Sequence, residues 1–349
     1  MIRQCVLGLL AAAWLYAADT PQALMDGGHH KRVRAIAEPL YREHPNDPEA
    51  QWMMSFVKLT WGDTKTALDL AEKAVAADPK NARYHLQLAQ ALGAEAQKAS
   101  IIRQPGLAIR FRKELETTLT LDPKNLGAMR YRIMYDFEAP GIMGGDKAHG
   151  RAMAEQATRV DPADGYALQA MVARYDKQQN RVEELLHKAV DAGPNNYDAQ
   201  LNLAYFYVTP AKKYAEAEGL ARAAMRIDPG RTSAHSVLAM ALIGQDKWAD
   251  LEAALAQSEK DVPDDLTPYF QAGLSCLARP TEAARAERYF RKYLTQEPEP
   301  HSAGISWTHW RLGQAMEKQG HKAEAIAEWQ TAVKLDAESP AKQDLKRVK

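Results

Sequence analysis

The sequence predicts an all-α solenoid of about eight to nine helix-turn-helix repeats with two irregular inserts. Prolines follow successive helix-like runs, at Pro45, Pro79, Pro123, Pro162, Pro194, Pro229, Pro263 and Pro298. Their separations are 34, 44, 39, 32, 35, 34 and 35 residues, so a unit of about 34 residues recurs. Repeats of this length stack side by side and do not close around a single core. We therefore expect one elongated domain that functions through its surface.

Most of these prolines directly follow an acidic residue, as in Asp78-Pro79 and Asp228-Pro229. Proline lacks the N–H that a helix interior needs and moves the preceding residue away from helical angles, so each pair indicates a helix end. An alanine lies 12 residues before three of the prolines, at Ala67, Ala217 and Ala286. Such a small side chain lets two antiparallel helices approach closely. An unrelated helical bundle is the alternative, but its loop lengths would vary more.

The pattern within the repeats resembles the tetratricopeptide repeat (TPR) family over roughly residues 20 to 340. The last full repeat carries Leu312-Gly313, Met316, Ala325, Trp329 and Ala332; another carries Leu201, Ala204-Tyr205, Val208, Ala217, Ala221, Ala224 and Pro229; a third carries Ala67, Ala71, Ala74 and Pro79. The more divergent repeats have Phe111, Gly150, Val182 and Leu251 where the first packing alanine is expected. The resemblance implies a right-handed α-solenoid of TPR helix-turn-helix repeats, and a fold of this kind does not fix a function.

The composition is that of a folded, neutral protein. Hydrophobic residues make up 46% and charged residues 26% of the chain, with 45 basic and 45 acidic residues. This lies far from the range of disordered chains. A neutral total gives no general attraction to nucleic acid or to an anionic membrane, so we expect neither as a partner.

The first 18 residues predict a cleaved secretory signal. Arg3 is followed by an apolar run from Cys5 to Leu15, and the small residues Ala17 and Ala18 precede Asp19. Eleven apolar residues are too few to span a bilayer, so we expect no stable membrane insertion after cleavage. A buried first helix is the alternative. Export predicts a periplasmic or secreted protein that retains Cys276 alone and forms no internal disulfide.

The two ends of the solenoid, residues 19–340, differ from its middle. At the start, a short helix at Gln22 to Met25 meets Gly27-Gly28-His29-His30, which indicates an abbreviated first repeat. We expect no metal at the histidine pair, because adjacent helical residues diverge and no third ligand lies nearby in sequence. At the other end, residues 341–349 are polar and basic, as suits a C-terminal capping helix.

Two inserts lengthen the repeat, around residues 93–113 and 138–147. The stretch 98–113 contains a Gln104-Pro105-Gly106 turn among basic residues that include Arg103 and Arg110. In the second insert, Gly144-Gly145 frees the backbone to turn, and Asp146 is placed to cap the next helix. A structured turn and a solvated helix face are the favoured interpretations. Segments Arg103–Ala108 and Ala139–Lys147 also resemble a group of exported bacterial repeat proteins, which implies no particular activity.

The TPR resemblance also implies a concave groove, lined by the first helix of each repeat, that binds a peptide or a partner helix. The residues it places there are Trp52, Phe56, Arg83, Gln90, Arg130, Met134, Tyr166, Gln169, Asn202, Phe206, Ser236, Met240, Gln271, Trp307, Trp310 and Gln314. Several of these, especially Trp52 and Trp310, could instead pack between repeats.

The favoured function is a non-catalytic protein–protein interaction scaffold or adaptor of the cell envelope that binds a peptide or partner protein in the groove. We find no catalytic constellation, no metal motif and no need for a cofactor. The alternative is a small-molecule or glycan-binding protein, or an accessory subunit of an envelope enzyme. It would use the inserts at 98–113 and 138–147, with Arg103, Arg110, Gly144 and Gly145 as candidate residues.

Overall fold

The computed structural model describes residues 20–348, and the predicted signal, residues 1–18, lies outside them. Within this range the chain forms 19 α-helices and one short 3-10 turn, without a β-strand. The all-α prediction is therefore confirmed. No helix between residues 20 and 348 combines the length and apolar character that crossing a membrane requires.

The helices form eight antiparallel pairs. The first helices of the pairs are α3 (Pro48–Thr60), α5 (Ala82–Lys98), α7 (Leu126–Glu138), α9 (Pro162–Tyr175), α11 (Tyr197–Val208), α13 (Thr232–Gly244), α15 (Thr267–Leu277) and α17 (Ile305–Lys318). The second helices are α4 (Thr64–Ala77), α6 (Gln104–Leu121), α8 (Lys147–Val160), α10 (Gln179–Ala192), α12 (Tyr214–Ile227), α14 (Trp248–Asp261), α16 (Ala283–Tyr293) and α18 (Lys322–Leu335). Two helices precede the pairs, α1 (Pro21–Gly27) and α2 (His30–Glu43), and α19 (Ala341–Arg347) follows them. The predicted eight to nine repeats are confirmed, with α1 and α2 as the abbreviated first one.

Acidic and amide side chains cap many of the helices that begin after a proline turn. Asn81, Asn125 and Asn196 each accept a hydrogen bond from a backbone N–H in the first turn of the helix that follows. Asp161 ends α8 and caps α9, whose first residue is Pro162. Such caps satisfy N–H groups that the helix itself leaves unpaired, and they fix where each helix begins.

The helices of a pair approach most closely at the small residues of the repeat. Ala67, Ala71 and Ala74 on α4 are buried, as are the equivalent alanines of α12. Glycine has the same role on the first helices: a Cβ on Gly313 would lie 2.4 Å from Nε1 of Trp329. Gly313 of the last full repeat thus makes room for the ring of Trp329 on the second helix of that repeat.

The first insert lengthens two helices, and the second forms a turn. Helices α5 and α6 have 17 and 18 residues, and the segment 99–103 joins them. In the second insert, residues Gly141–Met143 form the 3-10 turn, and Gly144 follows with φ of +87°. Asp146 then caps α8 by accepting hydrogen bonds from the N–H groups of Ala148 and His149, as the sequence predicted.

The solenoid curves so far that its start contacts the loops before and after the seventh pair. The N-terminal half of α2 lies against two loops, residues 262–266 after α14 and residues 294–304 after α16. Arg32 forms a bidentate ion pair with Asp264, with N···O distances of 2.5 and 2.8 Å. Arg34 forms another with Glu297, with N···O distances of 3.0 and 3.1 Å. We call this contact the closing junction.

Candidate functional site

A cavity of about 1290 Å³ lies over α3, α5 and α7, the first helices of the first three pairs. Helix α1 contributes Gln22, Met25 and Asp26 to its wall, and the start of α6 contributes Gln104 and Ala108. The cavity is therefore bounded on one side by the first helices of regular repeats and on the others by segments outside the regular repeat, α1 and the start of α6.

Aromatic and sulfur-containing side chains form the apolar part of the cavity wall. Phe111 packs against Tyr131 and Tyr135, with ring centroids 6.5 and 5.8 Å apart. The Phe111 ring reaches this position because Gly93 has no side chain: a Cβ there would lie 3.2 Å from the ring. Phe56 and Met134 continue the wall along α3 and α7. Flexible methionines beside rigid rings give a surface that can adapt to a bound apolar group.

Amide side chains supply most of the polar groups in the wall. Gln90 donates to the Tyr131 hydroxyl at 3.3 Å, and Gln87 donates to the Ser55 hydroxyl at 3.1 Å. Gln104 donates to the carbonyl of Ala99 at 3.1 Å. In these three contacts each amide uses a donor, so its carbonyl oxygen remains able to accept a hydrogen bond from a ligand.

A charged group at the cavity edge is held by its neighbours. The Arg83 guanidinium lies over the Trp52 ring, 4.7 Å from its centroid, and forms hydrogen bonds of 3.0 and 3.2 Å with Glu49. Glu49 also accepts from the Tyr84 hydroxyl, and burial together with that hydrogen bond raises the pKa of Tyr84. Arg83 therefore presents a fixed planar cation at the edge of the cavity.

The second insert closes the cavity from the side of α7. The Tyr135 hydroxyl donates to the carbonyl of Met143 at 2.5 Å and so holds the 3-10 turn against α7. Ala139, Pro140 and Met143 line the cavity. The guanidinium of Arg112 covers Gly144, where a Cβ would overlap its Nη1 atom. Both inserts thus contribute to one cavity.

Five of the residues that the sequence places in the groove line this cavity: Trp52, Phe56, Arg83, Gln90 and Met134. The candidates of the inserts lie outside its wall. Arg110 pairs with Glu72 at 2.5 Å, and Gly144 and Gly145 form the turn behind Met143. Arg103 precedes α6 and is exposed, while its neighbour Gln104 reaches the cavity.

The other groove candidates lie outside the cavity wall, Arg130 on α7 and the rest on the later first helices. They are Arg130, Tyr166, Gln169, Asn202, Phe206, Ser236, Met240, Gln271, Trp307, Trp310 and Gln314. Phe206 and Ser236 are buried, and Gln169 donates to Thr158 at 2.8 Å. Trp310 donates to Asp344 of α19 at 2.7 Å and lies beneath Arg311, so it packs between structural elements. Trp307 is 39% exposed and is the most accessible large ring of this set.

Sequence reasoning did not identify Met25, Phe111, Tyr131 and Met143 as part of the site. Tyr131 and Phe111 occupy packing positions of their helices, and Met25 and Met143 belong to segments without a regular repeat. The groove residues were predicted from their position within the repeat, and that criterion does not select these four residues. The apolar composition of the two inserts was the available signal.

The closing junction brings titratable groups together beside the cavity. His30, the first residue of α2, packs edge-on against His301 at 5.0 Å and against Phe56 at 5.2 Å between ring centroids. Burial, followed by the nearby His301, lowers the pKa of His30 to about 4. Burial raises the pKa of Glu299, whose side chain is enclosed in the same junction, to about 7.

The only cysteine among residues 20–348, Cys276, is buried in α15. Burial raises the pKa of its thiol to about 12, so the thiol stays protonated at neutral pH. A protonated, enclosed thiol is a packing group.

The helix pairs and their cavity define an all-helical repeat protein. No protein-family model matches the sequence, and no curated protein matches it. Among solved structures, yeast Tom70 is similar at 13% identity, over 91% of this chain and 88% of that chain, with a TM-score of 0.49. A human IFIT1 dimer with m7Gppp-AAAA is similar at 15% identity, over 92% and 84% of the two chains, with a TM-score of 0.45. Pseudomonas aeruginosa PilF is similar at 16% identity, over 64% and 99%, with a TM-score of 0.42. At these values the likenesses say nothing about what the chain binds.

Proposed function

We propose that this protein is a non-catalytic scaffold of the cell envelope that binds an extended peptide segment of a partner protein. The observation that carries the proposal is the cavity of about 1290 Å³ over α3, α5 and α7. Its volume exceeds the range of about 300–1,000 Å³ that is typical of small-molecule sites. A segment of several residues fits such a space better than a single small metabolite.

The cavity wall also indicates the chemistry of the segment. Aromatic rings and methionines offer contact area, and the amide groups of Gln87 and Gln90 offer hydrogen bonds that suit a peptide backbone. The charged groups in the wall already have hydrogen-bond partners: Arg83 binds Glu49, Asp26 accepts from Gln22, and Glu138 accepts from the Tyr175 hydroxyl. An uncharged segment that is rich in apolar residues therefore complements the wall, because an unpaired charge would lose hydration there.

The location in the envelope rests on the sequence of residues 1–18, with its basic start, short apolar run and small residues before Asp19. The only cysteine among residues 20–348 is buried, and removal of residues 1–18 with Cys5 would leave it no partner for an internal disulfide, which is compatible with an oxidising compartment.

A small-molecule or glycan ligand is the second candidate, and one specific observation favours it. Gln104, Pro140 and Met143 of the inserts lie in the same cavity wall as the aromatic rings. An amide beside an aromatic face is an arrangement that also suits a sugar ring. In that case Gln104 would contribute to binding, whereas Arg103 and Arg110 would not.

The test is selection from a phage-displayed random peptide library on the purified protein, followed by fluorescence anisotropy with the selected synthetic peptide. We expect Met134→Ala to weaken binding roughly tenfold, about 1.4 kcal/mol, because the side chain lies in the cavity wall. Met240→Ala is the matched control, since Met240 occupies an equivalent position on α13 outside the cavity.

Three outcomes would count against the proposal. Selection of no peptide, together with binding from an oligosaccharide panel that Gln104→Ala abolishes, would favour the glycan candidate. Peptide binding that Met240→Ala weakens and Met134→Ala does not would move the site to the later repeats. Selected peptides dominated by acidic residues would contradict the predicted uncharged segment.

A further inference from the structure

Two histidines that are far apart in sequence face each other in the closing junction. Nδ1 of His30 lies 3.4 Å from Nδ1 of His301, 271 residues further along the chain. The carboxylate of Glu299 lies beside them, and one ligand atom from each of the three residues lies within 4.8 Å of the other two. The sequence predicted no metal at His30 because it offered no nearby third ligand. The curvature of the solenoid brings two further ligands, Glu299 and His301, to His30.

The separation of the two nitrogens matches that of a metal site. In a tetrahedral site with Zn–N bonds of about 2.0–2.1 Å, two nitrogen ligands lie about 3.3 Å apart. The nitrogens of His30 and His301 therefore already have the separation that one shared ion requires, whereas the oxygen of Glu299, within 4.8 Å of them, would have to move closer. Gly28 lies beside the His301 ring and has a left-handed φ of +84°, a conformation that glycine adopts readily.

Glu299 gives an independent indication of a missing cation. Its side chain is buried, with 1% exposure of the residue. Oε2 accepts a hydrogen bond from the N–H of Lys31 at 3.2 Å, but Oε1 is enclosed and accepts none from the residues that the structure describes. A buried carboxylate oxygen without a partner is costly, and a cation between Glu299 and the histidines would satisfy it.

We propose that His30, Glu299 and His301 bind a divalent transition-metal ion of the zinc type, which fastens the first repeat to the loop after α16. Two imidazoles and one carboxylate form a donor set that zinc uses, with a fourth position left for water. His301 is exposed, so solvent can reach that position. The ion would join segments that otherwise meet through the ion pairs of Arg32 and Arg34 and through the hydrogen bond that Lys31 donates to the carbonyl of Glu297.

The ion would also fix one wall of the cavity. Helix α1 ends at Gly27, three residues before His30, with its cap at Gly28, and its side chains Gln22 and Met25 line the cavity. Metal binding would hold α1 in that position and so favour ligand binding. This last step rests on the proposed function, whereas the metal site itself does not.

The test is calorimetric titration with Zn²⁺ of untagged protein that has been freed of metal by a chelator. We expect one ion per chain, and at least tenfold weaker binding for His30→Ala and for His301→Ala. His44→Ala is the matched control, because His44 is an exposed histidine at the other end of α2. Asp264→Ala removes the ion pair with Arg32 and leaves the three proposed ligands in place, so it should reduce binding less.

The visible spectrum of bound Co²⁺ gives a second readout, since a tetrahedral site absorbs far more strongly than the hydrated ion. Equal Zn²⁺ affinity in the unaltered protein and in either histidine variant would overturn the proposal, as would absence of binding to the unaltered protein. Because no peptide takes part in this titration, its result is independent of the proposed function.

Discussion

Asp136 accepts a charged hydrogen bond from Arg132, one turn earlier on α7, and the side chain of Asp136 has 0% exposure. The same carboxylate contacts Nδ1 of His149 at 2.6 Å and accepts from the N–H of Asp146 at 3.3 Å. One buried carboxylate therefore joins α7, the turn of the second insert and α8 behind the cavity.

Replacement of Asp136 by alanine should destabilise the protein by about 3–5 kcal/mol, because it removes the close partner of the buried Arg132 and leaves only Glu116, 3.8 Å away. Urea unfolding followed by circular dichroism measures the change. Asp69→Ala is the control: Asp69 pairs with Lys73 at the same spacing, but both side chains are more than half exposed. That change should cost less than about 1 kcal/mol. Similar costs for the two variants would contradict the importance of burial.

Gly313→Ala should destabilise the last repeat by about 1–3 kcal/mol, because the new Cβ would lie 2.4 Å from the Trp329 ring. Adding Trp329→Phe should recover part of the loss by making room. Gly219→Ala is the matched control on α12, where a Cβ meets no atom within 4 Å. It should stabilise the protein by about 0.5–1 kcal/mol through helix propensity. Thermal unfolding compares the variants, and a neutral Gly313→Ala would show that the pair of helices tolerates a wider separation.

Glu218 should contribute stability that depends on pH. Burial alone would raise its pKa, but hydrogen bonds from Lys247, Gln245 and Arg222 outweigh burial and lower the pKa to about 2. A carboxyl with a depressed pKa stabilises the fold above its unfolded pKa of about 4.3, and the contribution disappears as the pH falls toward 2. The difference in unfolding free energy between the unaltered protein and Glu218→Gln should therefore be largest near pH 7 and smaller near pH 3.

The control for this pH dependence is Glu184→Gln. The pKa of Glu184 is also lowered, through Lys188 of the same helix, but its side chain is 59% exposed. Solvent screening should make the effect of Glu184→Gln much smaller. A cost of Glu218→Gln that is the same at pH 7 and pH 3 would mean that packing, and not charge, accounts for it.

Loss of the closing junction should release the N-terminal helices. In the double variant Asp264→Ala and Glu297→Ala, Arg32 and Arg34 lose the partners described above. Amide hydrogen exchange should then become about tenfold faster in residues 21–30 and remain unchanged in α13. Glu338→Ala is the control, because it removes an exposed pair with Lys342 at the opposite end. Unchanged exchange in α1 would mean that its own packing holds it in place.

The repeat architecture could be predicted because its determinants are local. An Asp-Pro pair favours a helix end, and α4 and α12 end at Ala77 and Ile227, just before such pairs. Glu38-Pro39 is an exception, because Pro39 lies inside α2. The cap at Asp146 likewise depends on the few residues around it. Each of these features depends on a few neighbouring residues, so a single sequence is enough to predict it.

The cavity and the closing junction could not be predicted in the same way. A prediction from position within the repeat assigns the same groove positions to every first helix. This cavity, however, lies where α5 and α6 are lengthened and where the 3-10 turn closes its side. The contact of His30 with His301 depends on small rotations between neighbouring repeats that add up along the whole array. A short stretch of sequence does not reveal the total rotation, so it does not predict this contact.

The closing junction has a consequence for how the chain folds. A repeat array with contacts only between neighbours has low contact order, and its units can form and open one after another. A contact across 271 residues must wait until the intervening helices have formed, since it depends on their combined curvature. Folding should therefore end with a slow docking of α1 and α2, and unfolding should begin with their release.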